Sequence, residues 1–349
     1  MEQSDHTRGD EAGRATGLEA QPLAGGGSFE PSQEVYRAEL SEPEPPPRPR
    51  RPRRVVLPIV LFLLTCFSTF LAGSTHYVPH LYLSKAVDPE PSLMPLRIAF
   101  LTNWQEGLLY MGCVLAILLT HEMGHFVMTL LHRVRASLPY FIPLPISPIG
   151  TMGAVIAMDG RTANRREIFD IGLAGPIAGL LVAVPIMWIG VQQMDFTPEP
   201  GGMNLQVPLL MRLAIDYVHP GKYDPSVGFP LTQANAWFMA GWVGLLVTGL
   251  NMLPVSQLDG GHVTYALFGR GAHWVARGFM VVAFAYMAYM AFVYRAQPAW
   301  VLMAILVLFL GTDHPPTSDD RARLGPLRTA IGFASLAIPV FCFVPNLQL

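Results

Sequence analysis

The sequence predicts an all-α multi-pass membrane protein with about six or seven transmembrane helices and a short membrane-associated β-hairpin or strand. Two observations support this fold class. Apolar residues make up 51% of the 349 residues and charged residues 14%, whereas about 25% of the residues in soluble domains are charged. Long apolar stretches also follow one another after a polar N-terminal tail, so most of the chain is suited to lipid rather than to water.

Seven apolar stretches are candidate spans, because a helix needs about 20 apolar residues to cross a bilayer. Their approximate ranges are 55–73, 107–131, 168–191, 234–252, 274–293, 299–311 and 327–345. The sixth stretch is short for a span, which is why the count is six or seven.

The arginines predict the orientation of these spans. Five arginines directly precede the first stretch, and basic residues concentrate on the cytoplasmic side of membrane proteins. Further arginines flank the ends that would then lie inside: Arg133, Arg135, Arg161, Arg165, Arg166, Arg270, Arg277, Arg321, Arg323 and Arg328. We expect a cytoplasmic N-terminus in an integral protein of the bacterial cell (inner) membrane.

Residues 1–54 are predicted to be a disordered cytoplasmic tail rich in proline and arginine, and residues 55–349 a membrane-embedded domain. The tail has few aromatic residues and no regular apolar pattern. Its last part, 45–54, is interpreted as a topology signal; a proline-rich docking site or a contact with anionic lipid is the alternative.

Charge and cysteines narrow the functional classes. The net charge of −2 gives no bulk signal for nucleic acid, so no nucleic-acid partner is expected. The cysteines Cys66, Cys113 and Cys342 all lie in apolar stretches without the spacing of zinc ligands. We interpret them as small packing residues rather than as a disulfide framework.

The second stretch contains His121-Glu122-Met123-Gly124-His125. Helix positions i and i+4 share one face, so the two histidines can bind one zinc ion. Glu122 between them can act as a general base on a zinc-bound water. The alternative is an exposed helix with two unrelated histidines. Polar residues are costly within hydrocarbon and are usually functional there, which favours a zinc peptidase site inside the bilayer.

A third ligand is expected, because catalytic zinc sites usually have three protein ligands and a water. Asn251 lies at the end of the fourth stretch, and Pro254 then breaks the helix. Asp259 follows, before two glycines that allow a close approach. On spacing alone Asp259 is a candidate ligand, but it can also be a helix cap or turn residue, and His262 is a rival ligand.

Residues 136–160 contain four prolines and cannot form a continuous helix. Thr, Val and Ile between glycines at 150–158 favour a short strand or hairpin directly after the helix with the histidines. Backbone of this kind at membrane depth must be buried in protein or line a cavity. Its edge could hold an unwound substrate segment by strand addition, with Gly153 and Val155 as positioning residues.

The motif H-E-M-G-H, followed by N-x-x-P-x-x-x-x-D-G on a later span, resembles the site-2 protease family of intramembrane zinc metallopeptidases, peptidase family M50. The resemblance covers about residues 100–270 and fits a minimal form without PDZ or CBS domains. It implies that His121, His125 and Asp259 bind one zinc ion (Zn2+) per chain and that Glu122 is the catalytic base. It also implies a core of the second to fourth spans, and that Asn251 positions substrate or stabilises the oxyanion.

The function that this resemblance implies is a zinc endopeptidase that cleaves transmembrane segments of membrane proteins, as in regulated intramembrane proteolysis. Its expected partners are a transmembrane protein substrate and the lipid bilayer; the oligomeric state is left open. The small-residue stretch 172–179 is interpreted as helix packing, and the role of His314-Pro315-Pro316 stays open. The alternative function is a non-catalytic membrane scaffold or transporter with a structural or vestigial metal site.

Overall fold

The computed structural model describes residues 55–85, 92–158, 160–197, 204–255, 257–293 and 317–344. The predicted disordered tail 1–54, the sixth apolar stretch 299–311 and His314-Pro315-Pro316 lie outside these residues. Ten helices are named within the described ranges: α1 (Val56–Ser74), α2 (Pro79–Lys85), α3 (Met94–Leu131), α4 (Arg165–Gln192), α5 (Leu209–Val218), α6 (Ala236–Asn251), α7 (Asp259–Phe268), α8 (Ala272–Val293), α9 (Pro326–Ser335) and α10 (Ile338–Cys342).

The predominantly helical, membrane-type fold agrees with the prediction. By length and composition, four helical stretches of the described residues can cross a membrane: α1, α3, α4 and the continuous run from α7 through α8. Helix α6 and the pair α9–α10 are apolar but shorter. The number of spans therefore stays a prediction.

Two of the predicted spans differ in extent from the helices. The second was expected at 107–131, but α3 begins at Met94, with a break in helical geometry at Asn103. There the Asn103 amide donates a hydrogen bond of 3.1 Å to the carbonyl of Ser74, which ties the added turns to the end of α1. The seventh stretch is two short helices, because Pro339 in the first turn of α10 cannot continue the ladder of α9.

Helices α3, α4 and α6 form the centre of the fold, as expected for the second to fourth spans. The backbones of α4 and α6 touch at small residues. A Cβ added to Gly241 would lie 2.5 Å from the Cα of Met187, and one added to Gly190 would lie 2.2 Å from the backbone nitrogen of Phe238. Such close contact is how helices associate where no water drives them together.

The non-helical segment after α3 forms an antiparallel pair of strands, β1 (Tyr140–Leu144) and β2 (Gly150–Val155), with a bulge between Phe141 and Pro143. The predicted strand at 150–158 is confirmed for 150–155, and Met158 makes an isolated bridge to Ala136. The turn between the strands is anchored on two helices. Ser68 on α1 donates to the carbonyl of Gly150 at 2.5 Å, and Tyr110 on α3 donates to that of Ile149 at 2.8 Å.

The polar connection between α4 and α6 contains the short helix α5. It also contains a second strand pair, β3 (Asn204–Leu205) with β4 (Phe229–Pro230). The indole of Trp242 on α6 donates to the carbonyl of Gln206 at 2.8 Å. The connection is thus fastened to the central helices.

Candidate metal centre

Helix α3 buries three polar side chains of the first motif. His121 is 2% exposed, Glu122 4% and His125 9%. The centroids of the two imidazole rings are 5.0 Å apart, as expected for residues one helical turn apart. The predicted face of α3 therefore carries both histidines into the interior.

A carboxylate reaches this face from the turn between α6 and α7. Helix α6 ends at Asn251, and Asp259 is the first residue of α7. The turn depends on Gly260, because a Cβ there would lie 2.1 Å from the carbonyl oxygen of Met252. Only glycine allows the start of α7 to lie this close to the end of α6, which is how Asp259 comes beside the histidines.

Three side-chain atoms converge at nearly equal distances. Asp259 Oδ2 lies 3.2 Å from His121 Nε2 and 3.3 Å from His125 Nε2, and the two imidazole nitrogens are 3.2 Å apart. A tetrahedral zinc with bonds of about 2.0–2.1 Å separates its ligands by about 3.3 Å. These atoms therefore have the spacing of three corners of a zinc tetrahedron. Within the described residues they are the group able to hold a metal ion.

The ring of His125 is oriented by main chain from α4. Its Nδ1 lies 2.7 Å from the carbonyl oxygen of Ile171, so Nδ1–H donates and the lone pair of Nε2 points to the centre. Such a partner fixes the tautomer of a metal-binding histidine. Pro176, within α4, lacks the N–H that would bind the carbonyl of Gly172, the residue after Ile171.

Glycines of α4 leave the room that the imidazoles occupy. A Cβ on Gly175 would lie 2.0 Å from His125 Nε2, and one on Gly179 would lie 3.0 Å from His121 Nδ1. The sequence interpretation of this stretch was helix packing alone. The structure adds that the same glycines make space for the two histidine rings, a role that the sequence did not reveal.

The remaining candidate residues lie around the same centre, with one exception. The amide nitrogen of Asn251 is 3.2 Å from His121 Nε2. Val155 and His262 line the cavity described below, whereas Gly153 does not. Gly153 instead bends β2 at a φ of +101°, and its N–H donates to the hydroxyl of Thr151 at 3.1 Å.

A cavity of about 490 Å³ opens beside the converging side chains. It is bordered by the motif residues, by the end of β2 and by the α6–α7 turn. Its lining comprises His121, Glu122, His125, Thr129, Ala154, Val155, Ile156, Ala157, Met158, Gly160, Ile171, Gly172, Asn251, Gln257, Leu258, Asp259 and His262. The cavity is thus lined by the candidate metal ligands, by the Glu122 carboxyl group, by the Asn251 amide and by the end of strand β2.

Comparison with known proteins agrees with this geometry. The family model of peptidase family M50 matches residues 109–293, and the chain belongs to that family. It is 28% identical over 321 residues to a protein of Oryza sativa subsp. japonica named probable zinc metalloprotease EGY1, chloroplastic, covering 89% of this chain and 53% of that protein. It is 30% identical over 333 residues to the Arabidopsis thaliana protein of the same name, covering 89% and 56%.

A third relative, probable zinc metalloprotease EGY2, chloroplastic, of Arabidopsis thaliana, is 27% identical over 242 residues, which are 61% of this chain and 42% of that protein. The chain spans about half the length of the first two relatives. The family predicted from the two motifs is confirmed. The matched family is one of peptidases and the relatives are named zinc metalloproteases, which agrees with the predicted zinc cofactor and metalloprotease class.

Replacing Gly175 by alanine is expected to weaken metal binding by at least about tenfold, since the new methyl group takes the place of the His125 ring and perturbed support of a ligand typically costs 10–100-fold. Zinc retained after gel filtration in detergent measures the effect. Gly112→Ala on α3 is the matched control, because a Cβ there meets nothing within 4 Å. Equal zinc in both variants would show that the glycine does not make room for the ligand.

Proposed function

We propose that this chain is an intramembrane zinc endopeptidase that hydrolyses transmembrane segments of membrane proteins, with His121, His125 and Asp259 as the zinc ligands. The observation that carries the proposal is the triangle of ligand atoms, 3.2–3.3 Å on each side, next to a buried acid. Zinc bound there would supply a Lewis acid and an acidified water as nucleophile.

Glu122 has the position of the general base. It lies between the two histidines on α3 but does not belong to the group of converging ligand atoms. It lines the cavity and is only 4% exposed. Its carboxylate takes the proton of the attacking water and passes it to the leaving amine. Asn251, beside His121 on the cavity wall, donates its amide N–H to the carbonyl oxygen as negative charge develops there.

The end of β2 supports recognition of an extended substrate. In the described part of the chain the sheet holds β1 and β2 alone, so one edge of β2 has no partner strand. Ala154 and Val155 line the cavity, and Val155 is 53% exposed. A substrate strand added to this edge places its carbonyls in the cavity, which requires a transmembrane helix to unwind first. Gly153 contributes by bending β2, which sets the direction of the unpaired edge of this strand.

The scaffold or transporter alternative is not favoured by any contact in the site. Structural zinc sites are closed by four protein ligands, whereas three ligand side chains converge here among the residues that the structure describes, beside a buried acid and a cavity. The cytoplasmic N-terminus stays a prediction from the arginine distribution. The bacterial inner membrane is a separate prediction that the comparisons do not support, since the names of the relatives carry the word chloroplastic.

Glu122→Gln is expected to keep zinc and fold while cleavage of a single-span membrane substrate falls at least about 100-fold, because general acid–base catalysis contributes 10²–10⁴-fold. Zinc content and cleavage are measured on the same detergent-purified sample. Substantial residual proteolysis by the zinc-loaded variant would contradict the assignment of the base.

Asp259→Ala is expected to lose zinc, whereas His262→Ala keeps it, since Asp259 Oδ2 lies within 3.3 Å of both imidazole nitrogens. The two variants lie one turn apart on the same helix and serve as each other's control. Metal analysis after dialysis against a weak chelator decides the matter. The reverse pattern would move the third ligand to His262.

Val155→Pro is expected to lower cleavage while zinc content holds, because proline removes an N–H and distorts an edge strand. Val155→Thr keeps the shape and the main-chain donor and is expected to stay near wild type. Crosslinkers placed at 150–158 in a Glu122→Gln background report contact with trapped substrate. If none captures it, β2 is a packing strand that does not meet substrate.

A further inference from the structure

A largely buried carboxylate next to the candidate metal centre is paired with an arginine and lies close to a histidine. The guanidinium of Arg328 on α9 donates to both oxygens of Asp170 on α4, at 2.8 and 3.0 Å. The imidazole Nε2 of His132 lies 3.2 Å from Asp170 Oδ2. The side chain of Asp170 is 11% exposed. A bidentate pair of this kind fixes geometry as well as charge.

Asp170 lies close in the chain to a residue that contacts the candidate metal centre. Asp170 directly precedes Ile171, whose carbonyl orients the ring of His125. His132 directly follows α3, the helix that carries both histidines of the motif. Asp170 therefore lies where three parts of the chain meet: the end of α3, the segment of α4 that contains Ile171, and α9.

Other contacts fasten the same part of the chain, here named the C-terminal brace (residues 317–335), to the start of α4 and to α7. The main-chain contacts are Ser318 N–H to the Ala163 carbonyl at 2.9 Å and Arg165 N–H to that of Asp319 at 3.3 Å. The hydroxyl of Tyr265 on α7 donates to Asp320 Oδ1 at 2.7 Å. The brace thus touches the helix that begins with Asp259 as well as the helix that holds Ile171.

Arg165 completes the connection between α4 and α7. Its guanidinium donates to the carbonyls of Ala266 and Leu267 at 2.6 and 3.0 Å, near the C-terminal end of α7, where carbonyls lack helical partners. The family match ends at residue 293, so the brace and Arg328 lie beyond the matched part of the chain.

We propose that Arg328 and Asp170 are positioning residues through which the C-terminal brace sets the geometry of the metal centre. This inference rests on the proposed zinc site. Because Asp170 and Ile171 are consecutive, a displaced carboxylate moves the carbonyl that aligns His125. A hydrogen-bond acceptor at the ring nitrogen that does not bind the metal orients a histidine ligand and raises its basicity. Removal of Arg328 also leaves a largely buried carboxylate without its main counter-ion, which favours a shift of α4.

The test compares Arg328→Gln with Arg166→Gln in the full chain purified in detergent. Both changes remove one arginine that bonds across the same interface, since Arg166 donates to the carbonyl of Arg323, but only Arg328 acts on Asp170. The probes are the rate of zinc release to a chelator and the visible spectrum of the Co2+-substituted protein, which reports ligand geometry.

Arg328→Gln is expected to release zinc about 10–100-fold faster and to alter the Co2+ spectrum, whereas Arg166→Gln leaves both near wild type. Asp170→Asn is expected to match Arg328→Gln, and the double variant to add little, because the two residues act as one unit. Arg328→Lys keeps the charge without the bidentate geometry and is expected to restore part of the effect.

Equal zinc release and equal spectra in Arg328→Gln and Arg166→Gln would overturn the proposal. So would additive effects in the double variant, or, if Arg328→Gln fails to fold, wild-type behaviour of Asp170→Asn. These outcomes are separate from the proposed activity. A wild-type protein that holds zinc but cleaves no membrane substrate contradicts the peptidase function and leaves the brace intact.

Discussion

Two imidazole nitrogens and one carboxylate oxygen within 3.3 Å of one another are the constraint on which the rest of the fold depends. Three such atoms gathered in a largely apolar interior are unfavourable unless a metal ion or a proton on an imidazole nitrogen lies between them. The atoms come from α3 and α7, whose ligands are separated by 134–138 positions along the chain. Close packing of α3, α4 and α6 and the glycine-dependent turn before Asp259 are the means by which the chain brings them together.

Helix α4 connects packing with chemistry although it carries none of the proposed ligands. Its glycines accept the rings of His121 and His125, and its Ile171 carbonyl orients His125. Pro176 in the same helix removes the N–H partner of the neighbouring Gly172 carbonyl. A larger side chain on this face would therefore disturb the metal centre before it disturbed the fold. Zinc content and stability can thus change independently when one of these glycines is replaced.

The sequence predicted the parts of the site that depend on local spacing. The i, i+4 histidines, the Pro254 break and the non-helical segment after α3 all follow from rules acting within a few residues. Contacts between distant segments were not predictable: nothing local pairs Gly175 with His125 or Arg328 with Asp170. The first turns of α3 were missed because Arg97, Asn103 and Glu106 interrupt the apolar pattern there, although the helix continues through them. Gly153, predicted as a positioning residue from its sequence neighbours, is not among the residues that line the cavity, and it bends β2 at a φ of +101°.

The most direct test of the account is a diffraction map of the zinc-loaded protein recorded at the zinc absorption edge. The account predicts one anomalous peak per chain, about 2.0–2.1 Å from His121 Nε2, His125 Nε2 and an oxygen of Asp259, with a fourth position open to water. A peak bound through His262 instead of Asp259, a fourth protein ligand closing the site, or no peak between α3 and α7 would contradict it.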